Sequence, residues 1–291
     1  MRKSQSIAMS LIDTGVNKTD IIMTFAENSI ELVIALMASL LLGTTIYPIS
    51  PISNIYEMQT LLQTLGSITI FATKAKTKLI EEVLNRSVIN GKQTIDVKNI
   101  IVFDGVLDNY LYYEELLSKG KDKNLIKIPY FDVEPKTDTF ILLQSSGTSG
   151  VPKSVMISHN SYVQSIQTFV FSKNFDNPIM SHITPFGCIS GSSILLSGIC
   201  LGIPTVIYRQ YSEELIVKSI DKYKVNKLFT TPTLVHKLID KQFVGKYDLT
   251  SLRFINTGGA AIPGHLARKL IDKYGVKFQE GIKMSMVHYF N

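Results

Sequence analysis

Residues 139–158 read TFILLQSSGTSGVPKSVMIS. TFILLQ (139–144) is almost wholly apolar and holds β-branched and aromatic side chains, as a strand buried on both faces does. SVMIS (154–158) alternates like a second strand. The loop between them offers Ser145, Ser146, Gly147, Thr148, Ser149, Gly150 and Lys153. Glycine lets backbone N–H groups come close to a ligand, and successive N–H groups in such a turn form an anion-binding nest. The hydroxyls add donors, and Lys153 adds a point charge suited to phosphate. Chemically this is a polyphosphate clamp; the same composition also suits a flexible Ser/Gly turn with an incidental lysine. The common phosphate loop, G-x-x-x-x-G-K-[ST], has glycine just before its lysine and a helix just after. Here Pro152 precedes Lys153 and a strand follows, so a mononucleotide-kinase type of NTPase is disfavoured.

Outward from the loop the same alternation continues. IIMTFA (21–26), ITIFAT (68–73), IIVFD (100–104), PTVIY (204–208), KLFTT (227–231) and LRFINT (252–257) read as strands. Helices are expected between them: from an Asn28 cap to Leu42 with Gly43 ending it, and over 55–65 from an Asn54 cap with Gly66 beyond. Others are expected over 159–171, 212–223 and 262–274, the last stopped by Gly275. This pattern implies an α/β fold with largely parallel sheets. Residues 105–137 are the least regular, either a surface excursion or a boundary between subdomains. No internal repeat is visible.

The chain has 291 residues, 45% hydrophobic and 19% charged, enough for a sizeable core. Its net charge of +6 comes from scattered lysines, with no basic stripe and no interleaved aromatics, so no nucleic-acid partner is expected. Two cysteines, Cys188 and Cys200, cannot form a disulfide framework, and a reducing compartment is the simpler inference. No Cys/His spacing suits zinc, and no metal-ligating residues are expected. The apolar runs 32–43 and 194–207 fall short of the roughly 20 residues a bilayer needs. They read as buried helices, the second running into a strand, and no integral membrane segment is expected. Residues 1–15 do not form a convincing signal peptide, because serines and Asp13 break the apolar core.

Residues 145–154 resemble the signature [ST]-[ST]-G-[ST]-[ST]-G-x-P-K-[GS] of the adenylate-forming (AMP-binding) enzymes, with every defined position matched. That family includes acyl- and aryl-CoA ligases, 4-coumarate–CoA ligases and insect luciferases. The resemblance extends over essentially the whole chain and in the family's order. It runs through ENSIELVIALMASLLLGTTIYPISP (27–51), TPFGCISGS (184–192), FTTPTLVHKLI (229–239), LRFINTGGAAI (252–262) and QEGIKMSM (279–286). Insect luciferase-like and 4-coumarate–CoA ligase-like enzymes are the nearest flavour.

The resemblance implies the large N-terminal domain of such an enzyme, spanning 1–291, incomplete at both ends and without the small C-terminal domain. It implies activation of a small-molecule carboxylic acid by ATP and Mg²⁺ to an acyl-adenylate, then transfer to coenzyme A as co-substrate. Ser145, Ser146, Gly147, Thr148, Ser149, Gly150 and Lys153 would hold the ATP phosphates, with Lys153 and Ser285 acting catalytically. Gly258, Gly259, Ala260, Gly281, Ile282 and Met284 would flank adenine. Phe186, Cys188, Ser190 and Gly191 would line the acyl pocket. Cys188 stands where many relatives carry a histidine or aromatic, and no base is visible to make it a nucleophile.

The last motif departs from the family pattern. Ile282 replaces an aromatic, Lys283 a glycine, and Met286 the glutamate that helps hold Mg²⁺; a thioether is a poor ligand for a hard cation. With the C-terminal domain and its catalytic lysine missing, CoA ligation by this chain alone is expected to be weak or absent. A partial gene product is the favoured explanation, and a short form that binds without catalysing is the other. Luciferase-like oxidation and a catalytically inactive nucleotide-binding or interaction protein are the alternative functions. Relatives of this flavour are often peroxisomal. This chain carries no such address, and a cytoplasmic location is the alternative.

Overall fold

The structure is a computed structural model that describes residues 1–121, 131–145, 153–171, 177–239, 245–284 and 287–290. It divides into two compact units, Met1–Val163 and Gln164–Asn291, and each carries its own sheet.

The first unit opens with α1 (Arg2–Asp13), β1 (Ile21–Phe25), α2 (Ile30–Leu42), β2 (Thr45–Pro48), α3 (Ile55–Leu62), β3 (Ile68–Ala72) and α4 (Lys74–Arg86). It continues with β4 (Val88–Ile89) and β5 (Lys92–Gln93), a small hairpin. Then come β6 (Val97–Val102), β7 (Leu111–Tyr112), α5 (Tyr113–Lys121), β8 (Thr139–Ser145) and β9 (Lys153–Ser158). Helix α6 (His159–Phe171) begins here and runs past the division. The sheet order is β7-β6-β3-β1-β2-β8-β9, parallel except for the β8–β9 pair.

Both faces of this sheet are covered, which explains strands with no polar alternation. Met23, Phe25, Ile68 and Ile70 pack with Met58, Leu62, Ile80 and Val83. On the opposite face Phe71 stacks on Phe103, with ring centroids 5.5 Å apart. Helix α2 is the buried apolar helix expected from 32–43. Its N-cap is Ser29, whose Oγ accepts from Leu32 N–H, and not Asn28, which is buried one residue earlier. Gly43 ends it in the left-handed region, φ +64°. Asn54 caps α3 in a reciprocal box with Glu57, a device worth about 1 kcal/mol. That helix stops at Leu62, short of the expected 65, because the chain tightens into successive turns at Thr64 and Leu65.

The alternation did not reveal α1. Its buried face carries Ser4, Ser6 and Ser10 as well as Ile7, Ala8 and Leu11, so the apolar stripe is interrupted. The serines are there for close approach. Ser10 Oγ donates to Leu116 O at 2.7 Å, and the Ser6 backbone passes so near Gly120 that any Cβ there would meet Ser6 O at 1.9 Å. Helix α5, inside the irregular 105–137 stretch, therefore packs on α1 within the first unit.

The second unit holds β10 (Met180–His182), α7 (Ile189–Cys200), β11 (Thr205–Ile207), α8 (Glu213–Tyr223), β12 (Lys227–Thr230) and α9 (Pro232–Ile239). After these come β13 (Phe254–Gly258), α10 (Gly264–Tyr274), β14 (Lys277–Met284) and β15 (Val287–Phe290). The order is β11-β10-β12-β13-β14-β15, parallel except for the last pair. Side chains alternate across a strand. Leu228 and Ile255 join the core with α8, α9 and α10, while Phe229 meets Met180 and Ile194 on the α7 side. Helix α10 starts at Gly264, two residues later than expected, because Pro263 takes the N-cap position; Gly275 ends it at φ +63° as expected. Among the described residues no helix is long and apolar enough to cross a membrane.

Candidate functional site

The 145–153 loop joins two strands, as expected, and they pair antiparallel. Ser145 pairs directly with Lys153 across the β8–β9 ladder. Ser145 Oγ donates to Lys153 O at 3.4 Å, and the Lys153 side chain is exposed. Residues 146–150, and with them Ser146, Gly147, Thr148, Ser149 and Gly150, lie outside the described residues. The ladder is anchored from below. Tyr47, fully buried on β2, shares a hydrogen bond of 2.6 Å with Ser154 Oγ. Burial pushes the Tyr47 phenol up to about 12, against the lowering effect of that bond, so it stays neutral at all physiological pH. Sequence reasoning did not single out Tyr47; a tyrosine in an apolar strand reads as core until its hydroxyl is placed.

In the second unit a cavity of about 280 Å³ sits at the carboxyl ends of the parallel strands, where open α/β sheets bind their ligands. One wall comes from the start of α7 (Ile189, Ser190, Ile194) and Thr184. The other comes from β12 and β13 and their exits: Phe229, Thr230, Thr231, Asn256, Thr257, Gly258 and Gly259, with Gly281 on β14. The cavity thus brings together one expected acyl-pocket residue, Ser190, and three expected adenine neighbours, Gly258, Gly259 and Gly281. Glycine is required here in two ways. A Cβ at Gly258 would stand 2.8 Å from Gly281 O, and Gly259 turns at φ +96°.

The remaining expected residues are placed as follows. Ala260 is exposed beyond the Gly-Gly turn and is not among the lining residues. Phe186 is buried against His182, rings 5.5 Å apart, and supports the segment rather than facing the cavity. Cys188 is the N-cap residue of α7 and exposed, yet the protein around its thiol desolvates it enough to hold it above the ordinary thiol range. A protonated thiol is a poor nucleophile. Gly191 lies inside α7, where a Cβ would meet Pro185 O at 1.9 Å. Ile282 and Met284 belong to the backbone of β14, and Ser285 lies outside the described residues.

Sequence reasoning missed Thr230, Thr231, Asn256, Thr257 and Glu280. The carboxylate of Glu280 accepts from Ile262 N–H at 2.6 Å and so ties the Gly-Gly-Ala turn to β14. Glu280→Ala is expected to lower stability by about 1 kcal/mol and to weaken any ligand held by the turn. Glu280→Gln keeps an acceptor and should recover most of both, as read by thermal unfolding with and without nucleotide.

The features that the sequence motifs single out are thus a lysine-bearing hairpin in the first unit and, in the second, a glycine-edged cavity at the carboxyl ends of a parallel sheet. Residues 1–282 match the family described as AMP-binding enzyme, and the chain belongs to that family. It is 28% identical over 97% of its length to 4-coumarate-CoA ligase 1 of Narcissus pseudonarcissus. It is 27% identical over 96% of its length to luciferin 4-monooxygenase of Photuris pensylvanica. The chain spans about half the length of these relatives, 50% and 51%. The luciferase-like enzyme of the nonluminescent mealworm Zophobas morio superimposes with a TM-score of 0.83 at 28% identity, covering 99% of this chain and 65% of that one. The N-terminal domain of FACL13 from Mycobacterium tuberculosis shares the fold, TM-score 0.82 at 16% identity, with 98% and 67% covered. The fold is therefore that of the N-terminal domain of adenylate-forming enzymes.

Proposed function

We propose that this chain is the nucleotide- and acid-binding part of an AMP-forming acid–CoA ligase. The observation that carries the reading is the single cavity that Ser190 on α7 lines from one side and Gly258, Gly259 and Gly281 on the strand exits line from the other. An acyl group and an adenine joined through one phosphate would meet in such a cavity. The acid's carboxylate attacks the α-phosphorus of ATP, the bond to the β-phosphate breaks, and pyrophosphate leaves with both electrons. Acyl-adenylate remains, and the thiol of coenzyme A later displaces AMP from it. The protein contributes position and charge more than covalent chemistry. Lys153 and the loop hydroxyls would neutralise the departing pyrophosphate.

Mg²⁺ would come with the nucleotide, bound largely by its phosphates. The family's glutamate position holds Met286, whose sulfur is not a hard-cation ligand. Glu280 is already committed to Ile262 N–H, and no cluster of three His, Cys, Asp or Glu occurs among the described residues. The donor set among the described residues does not fit a protein-held magnesium. The likeness to a luciferin 4-monooxygenase and a luciferase-like enzyme supports a second output, oxidation of the adenylate, built on the same first half-reaction.

A non-hydrolysable acyl-adenylate mimic, a phenylpropanoyl sulfamate of adenosine, tests the shared cavity by calorimetry. It is expected to bind this chain at least about 100-fold more tightly than AMP, since it collects both halves without a second loss of freedom. Affinity no better than that of AMP would show that the cavity does not join the two sites.

A further inference from the structure

Lys153 opens β9, and β9 is the edge strand of the first sheet, held by β8 on one side only. That ladder is irregular at its far end, where Thr139 faces Ser158 and Ile141 faces Ile157. An edge strand beside a bulge is open to slipping in register, and a slip of one residue would turn Lys153 to the other face. A second hold exists. Tyr47 lies on β2, with β8 between it and β9. Ile46 is level with Ile141, which sets Tyr47 beside Leu142, and those two side chains share one core. Gln144, two residues on, pairs with Ser154. Paired and alternate residues share a face. The Tyr47 side chain therefore reaches across β8, and its hydroxyl meets Ser154 Oγ at 2.6 Å. Its ring is fully buried, so the hydroxyl is a fixed point. Lys153 is thereby turned to the opposite face, exposed and paired with Ser145. The signature allows glycine or serine at position 154, and glycine could not make this bond.

We propose that Tyr47 is a positioning residue for phosphate binding. Its hydroxyl holds Ser154, and so keeps Lys153 in one register and turned towards the ligand. The role rests on the reading of Lys153 as a phosphate ligand, because Tyr47 acts only through the lysine.

The test is a cycle of variants of the 291-residue chain, titrated with ATP by calorimetry. Tyr47→Phe removes only the hydroxyl. It is expected to weaken ATP binding by about 3- to 10-fold, the usual coupling within one hydrogen-bonded network. In the Lys153→Ala background the same change should cost less than about 2-fold, because no lysine is left to misplace. Its effect on the melting temperature, by contrast, should be the same in both backgrounds. Salt gives a second readout. The ATP affinity of Tyr47→Phe should fall less steeply with salt than that of the wild type, since a misplaced charge meets the phosphates less closely. If Tyr47→Phe melts too low to titrate, Ser154→Ala breaks the same bond from its half-buried end and should show the same loss. Ser154→Thr keeps the hydroxyl and should retain the wild-type affinity. Unchanged ATP affinity in Tyr47→Phe and Ser154→Ala, with Lys153→Ala weakened, overturns the positioning role and leaves the clamp standing. An equal loss in the Lys153→Ala background also overturns it, since Tyr47 would then act on the fold alone. Unaltered affinity in Lys153→Ala removes the clamp and the positioning role together.

Discussion

Gly191→Ala is expected to lower the melting temperature by roughly 5 °C or more and to close the cavity to ligands. Gly191 is the third residue of α7, and an added Cβ would lie 1.9 Å from Pro185 O, 2.6 Å from Pro185 C and 3.1 Å from Phe186 Cα. All three are backbone atoms and cannot swing aside like a side-chain tip. Helix α7 must move away from the Pro185–Phe186 turn, taking Ile189, Ser190 and Ile194 with it. Overpacking of this kind typically costs about 1–3 kcal/mol, occasionally more. The sign makes the prediction sharp. In a free helix alanine is better than glycine by about 1 kcal/mol, so a Gly191 that merely happened to be small would give a more stable variant. Thermal unfolding of both proteins decides, and an unchanged or raised melting temperature would show that the close approach of α7 to Pro185 is not real.

Lys153→Ala is expected to weaken ATP binding by on the order of 10- to 100-fold, the loss of a charge-assisted bond to phosphate. Lys153 is exposed at the first position of β9 and opposite Ser145, while the Tyr47–Ser154 bond fixes the next residue along. The lysine's backbone is thus held by the sheet while its side chain is free to meet a ligand. Because surface substitutions away from packing seldom exceed about 0.5 kcal/mol, the free protein's melting temperature should hardly change. Lys153→Arg keeps the charge and should retain most of the affinity. Raising salt should narrow the gap between wild type and the alanine variant, since an exposed charge is screened. Unaltered ATP affinity in Lys153→Ala would remove the lysine from the clamp.

Much of the architecture was legible because the strands are short, apolar and buried on both faces, and because glycines and caps punctuate the helices between them. Gly43 and Gly275 sit in the left-handed conformation that their positions implied, and Asn54 makes its box with Glu57. The failures also have causes. Helix α1 was hidden because serines occupy its buried face, and a serine is chosen there for small size and a single hydrogen bond, a choice that periodicity does not register. Asn28 and Ser29 both suit a cap by composition, and only the backbone shows that the Ser29 hydroxyl meets Leu32 N–H. At the site, glycines announced the wall of the cavity, since few residues fit where Gly258 faces Gly281 O. Asn256 and Glu280 gave no such signal. An asparagine inside the expected strand 252–257 shows nothing of where its side chain points, and a carboxylate before a glycine reads as solvated surface. Their roles depend on Gln279 and Ile262, neighbours 23 and 18 residues away that only the sheet brings alongside.

The most direct measurement is the melting temperature of the unaltered 291-residue chain as ATP is raised to millimolar concentration. A ligand that binds only the folded state stabilises it by RT ln(1 + [L]/Kd), about 2.7 kcal/mol at a hundredfold excess over Kd. The account predicts a melting temperature that climbs steadily with ATP, and a much smaller climb in Lys153→Ala. A melting temperature that stays flat through millimolar ATP would contradict it, leaving the 145–153 hairpin as a family feature that no longer holds a nucleotide.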